Sequence, residues 1–412
     1  MKIAFLVEEF PSLSNTFILN QITGLIDRGH QVDIYTANQI NPPKIHPDIE
    51  KYKLLNHTYS AKMPKDLFLR RLKAARLLLA NYHKNFIVSL HSLNVFKYRK
   101  KASSLRLFYV TIPFLPKQSY DIIHCHFGWS AMDGMILREI GVLQGKLIAT
   151  FHGVDITQYI HFAGIHAYDS LFASADLLQP ISKRWKERLI ELGCNEKKII
   201  VHRMGIDCSR FCFHPRQPPA NGLVRCVTVC RLVEKKGLEY GIQAIAKLAT
   251  INPNIEYNII GDGILKEELQ QLVRSLDVDN IVKMLGSKDQ QEIVEILNNS
   301  HIFLAPSVTS QKGDQEGIPV VLMEAMASGL PVVSTQHSGI PELVENGVSG
   351  FLVPERDVDA LAEKLGYLIE HPEIWAKMGK SGRTYVEEHY NIDKLNDRLV
   401  EIYQQLLEGG IG

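Results

Sequence analysis

The sequence predicts an α/β protein built from two parallel-sheet domains, each with helices on both faces of its sheet. Short apolar runs alternate with helical patterns along most of the chain, which is typical of doubly wound sheets. The 412 residues also exceed the roughly 250 to 300 at which a single hydrophobic core stops growing. Between two sets of such runs, residues 211–222 contain three prolines, Asn221 and Gly222, which indicates a linker.

The apolar runs predict β-strands in both sets. The strands before the linker are expected at residues 2–7, 31–36, 121–125, 146–151, 176–180 and 198–202. Those after it are expected at 223–230, 255–260, 281–285, 301–305 and 331–334. We therefore divide the chain into an N-terminal domain (1–210), the linker (211–222), a C-terminal domain (223–390) and a C-terminal helix (391–412) that could pack back on the N-terminal domain.

Composition and targeting signals favour a cytoplasmic protein. The net charge is +1, so no overall field attracts nucleic acid, and no nucleic-acid partner is expected. The apolar run at residues 3–7 is short and is followed by Glu8 and Glu9, unlike the core of a signal peptide. No run approaches the ~18 apolar residues of a membrane span.

The six cysteines predict reduced thiols and no metal. Cys208 and Cys212 repeat the spacing of Cys226 and Cys230, which invites a zinc interpretation. However, Cys226 and Cys230 lie within an apolar strand, where positions four apart share a face without forming a ligand knuckle.

Residues 61–117, called the basic segment below, concentrate positive charge. They contain one anion, Asp66, and thirteen cations: Lys62, Lys65, Arg70, Arg71, Lys73, Arg76, Lys84, Lys97, Arg99, Lys100, Lys101, Arg106 and Lys117. Apolar residues recur there at helical spacing, at Phe68, Leu72, Ala75 and Leu79. A cationic amphipathic helix suits an anionic lipid surface. Alternatively, a wider apolar stripe that includes Leu77 and Leu78 packs on the core.

Polar residues follow several predicted strands directly, at the sheet edge where open parallel sheets bind ligands. Arg231 and Lys236 follow strand 223–230, and two cations beside a helix N-terminus can neutralise a diphosphate. The alternative is a surface ion pair of one of them with Glu234 or Glu239. The first interpretation predicts a site for an anionic leaving group.

Glu316 and Glu324 lie at the predicted entrance of a helix and inside it, since Pro319 suits a first helical position. Two carboxylates there can accept hydrogen bonds from vicinal hydroxyls of a sugar or a ribose. The alternative is a capping acid followed by an exposed helix acid.

Histidines end two predicted strands of the first set. His152 follows strand 146–151, where it can contact a substrate hydroxyl, and Gly153 allows close backbone approach. We expect His124 and His126 to point to opposite faces of their strand and to be structural. Gly261 belongs to a partial dinucleotide fingerprint that lacks its third glycine.

The motif His152-Gly153-Val154-Asp155, with Arg231, Lys236 and the segment EGIPVVLMEAMASGLPVVST, strongly resembles the family 4 retaining glycosyltransferases of GT-B fold. The resemblance runs from the first strand to about Tyr390. It implies two Rossmann-like domains that face a deep cleft. The C-terminal domain would hold a nucleotide-sugar donor and the N-terminal domain an acceptor, with no metal and no cofactor.

The resemblance also implies roles for individual residues. Arg231 and Lys236 would hold the donor diphosphate, and Glu324 the ribose. Glu316 would hold the transferred sugar, with His152 beside it. The catalytic set is then His152, Glu316, Arg231 and Lys236. The donor site would further include Gly261, Gly317 and Ile318, and the acceptor side Ser14, Asn15, Thr16, His126 and Asp155.

Three positions depart from the common family pattern. The loop after the first strand lacks a Gly-Gly pair, and Met204 stands where Asn often precedes Gly205. These two features are similar to bacterial exopolysaccharide enzymes of the colanic acid type, whose acceptors are lipid-linked sugars. Cys230 takes the place of a usual glycine, which bears on the backbone geometry near the diphosphate.

The sequence therefore predicts a retaining glycosyltransferase that moves a sugar from a nucleotide-diphosphate sugar to a saccharide or lipid-linked acceptor. A lipid-linked acceptor would give the basic segment a purpose at the inner face of the membrane. Two alternatives stay open: a GT-B sugar-nucleotide epimerase, and a catalytically silent nucleotide-sugar-binding protein.

Overall fold

The computed structural model describes residues 1–12, 16–40, 46–116 and 118–410, and in these ranges it contains two six-stranded parallel sheets with helices packed on them. The predicted fold class is confirmed. The predicted acceptor-side residues Ser14 and Asn15, and Lys117 of the basic segment, lie outside the described residues.

The first sheet has the strand order β3-β2-β1-β4-β5-β6, with all pairs parallel. Its strands and helices are β1 (Lys2–Phe10), α1 (Thr16–Asp27), β2 (Gln31–Gln39), α2 (Pro47–Lys51), β3 (Thr58–Tyr59), α3 (Leu67–Ala80), α4 (Tyr82–His91), α5 (Val95–Ser103), α6 (Arg106–Thr111), β4 (Gln118–His126), α7 (Gly128–Glu139), β5 (Leu143–Phe151), α8 (Gln158–Ala163), α9 (Asp169–Ser174), β6 (Leu177–Pro180) and α10 (Lys183–Glu191).

The second sheet has the order β12-β11-β10-β7-β8-β9, again parallel. Its elements are β7 (Val224–Val229), α11 (Leu238–Ala249), β8 (Ile255–Ile260), α12 (Lys266–Ser275), β9 (Val282–Gly286), α13 (Gln290–Asn298), β10 (Ile302–Ala305), α14 (Val320–Ala327), β11 (Val332–Thr335), β12 (Gly350–Val353), α15 (Val358–Glu370) and α16 (Trp375–His389), followed by α17 (Ile392–Leu407).

The strand predicted at 198–202 is wrong. This segment runs beside β6, and Ile200 and His202 donate their N–H groups to Leu178 and Pro180. Pro180 has no N–H group that could donate to this segment. The pairing therefore stops at a single bridge between Leu178 and Ile199. The edge strands β3 and β12 were not predicted, because two and four residues are too short to show a strand pattern.

Helix α17 packs on the first sheet although the second sheet precedes it in the chain. Its Leu399 and Ile402 belong to the same buried cluster as Ile22 of α1. Asn396 donates to the carbonyl of Asn20, at 3.3 Å. Packing of α17 on α1 therefore links the end of the chain to the N-terminal half.

A carboxylate joins the two halves directly. Glu342, which follows β11, accepts hydrogen bonds from the backbone N–H groups of Lys183 and Arg184 at 2.9 Å each. These groups lie in the first turn of α10, where helix N–H groups lack partners within the helix. The contact fixes one end of the cleft between the carboxyl edges of the two sheets.

In the part of the chain that is described, no helix combines the length and the apolar character needed to cross a membrane.

Candidate functional site

A buried ion pair lies at the carboxyl edge of the second sheet. Lys236 Nζ is 2.6 Å from Glu316 Oε1, and the two side chains are only 15% and 8% exposed. Lys236 ends a short 3₁₀ turn after β7, and Glu316 precedes α14 in the loop after β10. The next residue, Gly237, has a φ of 59° and passes so close to the carbonyl of Pro306 that a Cβ would overlap it. This close approach brings the two loops together.

Each partner of this pair keeps the other charged. Burial alone would raise the pKa of Glu316, but the ammonium groups of Lys236 and Lys235 outweigh burial and hold the pKa below its ordinary value. Burial acts in the opposite direction on Lys236, and the Glu316 carboxylate outweighs it and raises the pKa of the ammonium. The alternative of a surface pair with Glu234 or Glu239 is therefore wrong for Lys236.

Arg231 lies exposed on the same loop. Among residues 1–12, 16–40, 46–116 and 118–410, none forms an ion pair or a hydrogen bond with its guanidinium group. Its loop packs on a glycine turn: Gly261 has a φ of 136°, and a Cβ there would overlap the carbonyl of Cys230. The predicted donor residue Gly261 thus permits this close packing, and an unpaired cation stands beside the buried ion pair.

Glu324 is a half-buried carboxyl without a charged neighbour. It lies in the second turn of α14, and no described side chain pairs with it. Burial raises its pKa to about 7. Helix α14 begins after Pro319, which makes no side-chain capping bond. The capping interpretation of Glu316 and Glu324 is therefore wrong.

On the N-terminal side, Asp155 shapes the turn that carries His152. Its Oδ1 accepts the N–H groups of His152 and Gly153, and its Oδ2 accepts that of Gly128, all at 3.0 Å. Burial raises its pKa to about 6 against the effect of these hydrogen bonds. Asp155 has no exposed surface. The structure thus corrects its acceptor-side assignment: Asp155 positions the turn.

His124 and His126 point to the same face of β4, which corrects the expectation of opposite faces. Residues two apart in a strand share a face, and the two rings stack with centroids 4.7 Å apart. His126 is fully buried, and its Nδ1 lies 3.0 Å from Nε2 of His152. The structure therefore places His126 behind His152 and out of reach of an acceptor.

His152 itself is 9% exposed, and its ring packs on Phe17 and Phe127. Burial lowers its pKa to about 3, so the imidazole is neutral at physiological pH. Thr16, a predicted acceptor-side residue, is half-buried next to Phe17 at the start of α1. His152 is thus available as a neutral hydrogen-bonding group.

The two loops meet at Gly317. A Cβ on this glycine would lie 2.9 Å from the carbonyl oxygen of His152 and 2.7 Å from Cδ1 of Ile181. The neighbouring Ile318 is buried and packs in the core of the second sheet. The loop that carries Glu316 therefore meets the turn that carries His152 where the carboxyl edges of the two sheets face each other.

Sequence reasoning missed two residues behind Glu316. His337 is fully buried and accepts the backbone N–H of Glu316 at Nε2, at 3.0 Å. Its Nδ1 lies 2.6 Å from Glu355. Their positions in the sequence could have indicated them, because they follow β11 and β12 at the edge of the second sheet where ligands bind.

This arrangement can bind an anion between Arg231 and Lys236 while Glu316, Glu324 and His152 contact hydroxyl groups. No group of three or more His, Cys, Asp or Glu side chains in the described ranges is arranged to hold a metal ion.

Comparisons with known proteins agree with this geometry. The profile "Glycosyltransferase Family 4" matches residues 14–210, and "Glycosyl transferases group 1" matches residues 214–385. The amylovoran biosynthesis glycosyltransferase AmsK of Erwinia amylovora is 39% identical over 409 residues, which cover 98% of this chain and all of AmsK. WcaL of Escherichia coli K12, a proposed colanic acid biosynthesis glycosyltransferase, is 38% identical over 413 residues, with 98% and 100% coverage.

The fold has solved counterparts. The crystal structure of Anabaena HepE with UDP and glucose superposes with a TM-score of 0.69 at 19% identity, over 98% of this chain and all of HepE. The two profiles cover both halves of the chain, and AmsK and WcaL match nearly its full length. The chain therefore belongs to the family 4 glycosyltransferases of GT-B fold.

Proposed function

We propose that the protein transfers a sugar, with retention of anomeric configuration and without a metal ion, from a nucleotide-diphosphate sugar to a saccharide or lipid-linked acceptor. The observation that carries the proposal is the buried Lys236–Glu316 pair: its loop meets the His152 turn at Gly317, and the unpaired Arg231 lies on the loop of Lys236. We further propose that this reaction serves exopolysaccharide synthesis. The names of AmsK and WcaL support that assignment.

In the proposed step, negative charge develops on the departing diphosphate of the donor. The bond between the anomeric carbon and the β-phosphate oxygen breaks, and the electron pair leaves with the diphosphate beside Arg231 and Lys236. The acceptor oxygen attacks from the same face and forms the new glycosidic bond. Its proton passes to the departing phosphate oxygen. Glu316, Glu324 and His152 orient hydroxyl groups of the sugar and the ribose.

Cations fixed before the reaction stabilise the leaving group without reorganising. Lys236 is held by Glu316 before a donor arrives, whereas Arg231 gains its first charged partner when the diphosphate binds. Two protein cations can thus take the place of a divalent ion. This is the physical basis for proposing metal independence.

Purified protein incubated with UDP- and GDP-sugars, with and without lipid-linked acceptors, tests the reaction. Acceptor-dependent product supports the transferase, donor conversion without acceptor supports the epimerase, and binding alone supports the silent protein. NMR coupling constants of the new linkage report its configuration. Activity that survives EDTA supports metal independence, and activity restored only by a divalent ion contradicts it.

We also propose that the basic segment touches an anionic membrane surface. Phe68, Leu72 and Leu79 of α3 are 74%, 51% and 73% exposed, so this stripe does not pack on the core. Arg71 and Arg76 flank the stripe and have no ion pair with any described residue. An apolar stripe between cations is the pattern of a helix that lies in a lipid interface. The half-buried Leu77 and Leu78 face the protein instead.

Vesicle binding tests the membrane proposal. The wild type should sediment with vesicles of phosphatidylglycerol and phosphatidylcholine, less so as salt increases, and Phe68→Ser/Leu79→Ser should lose most binding. The control is Ile251→Ser/Ile264→Ser, which alters residues that are 77% and 87% exposed on the other half of the chain. Equal binding of both variants would contradict the proposal.

A further inference from the structure

The loop that carries Glu316 is fixed from behind by residues that do not face the cleft. The backbone N–H of Glu316 donates to Nε2 of His337 at 3.0 Å. The carbonyl of Glu316 accepts the hydroxyl of Ser338 at 2.6 Å. Both peptide groups around Glu316 are therefore bonded to one short segment after β11.

The hydrogen bond to Glu316 fixes the tautomer of His337. A backbone N–H can only donate, so Nε2 of His337 must be without a proton, and Nδ1 must carry it. Nδ1 then donates to Oε1 of Glu355 at 2.6 Å. His337 is fully buried, so water does not compete for either nitrogen.

Glu355 is itself held in place. Its Oε2 accepts the backbone N–H of Thr309 at 2.7 Å, and its Oε1 accepts the Thr309 hydroxyl at 3.2 Å. These hydrogen bonds, together with the contact to His337, hold the pKa of Glu355 below its ordinary value against the effect of burial. A carboxylate hydrogen-bonded to Nδ1 makes the opposite nitrogen of an imidazole a stronger acceptor.

We propose that His337 and Glu355 are positioning residues that set the place of Glu316 and, through it, of Lys236. Glu355 orients His337, His337 holds the Glu316 peptide group, and the Glu316 side chain fixes the ammonium at 2.6 Å. This inference rests on the proposed role of Glu316 and Lys236. Neither His337 nor Glu355 touches the reacting atoms.

Two substitutions at one position separate positioning from space filling. In His337→Gln the side-chain oxygen takes the place of Nε2 and still accepts the Glu316 N–H. In His337→Asn the amide takes the place of Nδ1, so the contact with Glu355 survives and the contact with Glu316 is lost. We expect His337→Asn to lower kcat at least tenfold and His337→Gln less than threefold.

His301 provides a matched control. Its Nδ1 also accepts a backbone N–H, that of Arg225 at 2.9 Å, but it lies at the amino end of the second sheet. His301→Gln, whose amide takes the place of Nε2 and so loses the contact with Arg225, should leave kcat within twofold of the wild type. Equal kcat losses in His337→Asn and His337→Gln, or wild-type kcat in both, would overturn the inference.

A double-variant cycle separates this inference from the proposed function. If His337 acts through Glu316, adding His337→Asn to Glu316→Gln should cost less than twofold more. Wild-type turnover of Glu316→Gln would contradict the proposed function instead. Full additivity of the two losses would contradict only the positioning role. Crystal structures add a readout without turnover: the Lys236–Glu316 contact should persist in His337→Gln and break in His337→Asn.

Discussion

Removing the ammonium of Lys236 should destabilise the protein in a strongly pH-dependent way. Lys236→Met keeps the length of the side chain and leaves the carboxylate of Glu316, 8% exposed, without its counter-ion. Breaking one partner of a buried pair costs about 3–5 kcal/mol. The carboxylate can avoid this cost by taking up a proton, which from its ordinary pKa of 4.5 costs about 3.4 kcal/mol at pH 7. The two estimates agree on a loss of about 3–4 kcal/mol.

The sign of the pH dependence follows from the direction of the pKa shift. In the wild type the pKa of Glu316 is lowered, so its stabilising contribution is present above the unfolded pKa and is lost as the pH falls through the folded pKa. In Lys236→Met the ammonium that most opposes burial is gone and the weaker effect of Lys235 remains, so the pKa of Glu316 rises relative to the wild type and the penalty grows with pH. The difference between the two proteins should therefore be larger at pH 7.5 than at pH 4.5, where the carboxyl of the variant is closer to its protonated form.

Urea unfolding at pH 7.5 and pH 4.5 measures this difference. Lys236→Met/Glu316→Gln should recover to within about 1 kcal/mol of the wild type, because no unpaired charge remains. Its turnover should stay at least tenfold low, since about 1.4 kcal/mol of transition-state stabilisation is lost. The control is Lys247→Met, which removes an exposed ion pair and should cost less than about 1 kcal/mol. Wild-type stability of Lys236→Met at pH 7.5 would refute the reasoning.

Further substitutions test other walls of the cleft. Glu324→Gln removes a carboxyl whose pKa burial raises to about 7, so urea unfolding should show a gain of up to about 3 kcal/mol at pH 8 and none at pH 4.5. Gly317→Ala places a Cβ 2.7 Å from Ile181, so turnover should fall at least tenfold with little change in the unfolding midpoint, and wild-type turnover would contradict this close contact. Asp155→Asn replaces an acceptor by a donor and leaves a buried N–H such as that of Gly128 unsatisfied, which should cost about 1–3 kcal/mol in urea unfolding; an unchanged midpoint would contradict its positioning role.

Local patterns in the sequence were enough to predict the fold and to locate the loops that carry the candidate site. Buried parallel strands are continuous apolar runs, so β7 could be located, and the cations Arg231 and Lys236 follow it at the edge where ligands bind. Strand 198–202 failed because its pairing depends on Pro180 of a neighbouring strand. The apolar pattern of one segment does not show whether the neighbouring strand has the N–H groups needed to pair with it.

The contacts that set the chemistry of the site are long-range, and the sequence could not show them. Lys236 and Glu316 are 80 positions apart, and His337 reaches Glu316 from another loop. The family resemblance placed Asp155 and His126 on the acceptor side. Burial and hydrogen-bond partners, which only the folded chain defines, turn both into supports of His152.

The two walls of the cleft differ in their electrostatic character. This difference indicates on which wall the negative charge of the proposed reaction is stabilised. On the N-terminal wall burial keeps His126 and His152 neutral. On the C-terminal wall Lys236 is balanced by Glu316, which leaves Arg231 as a cation without a counter-ion among the described residues. A negative charge that develops in the cleft is therefore attracted to the C-terminal wall. Neither imidazole on the opposite wall is a strong base, which supports the proposal that the acceptor proton passes to the departing diphosphate.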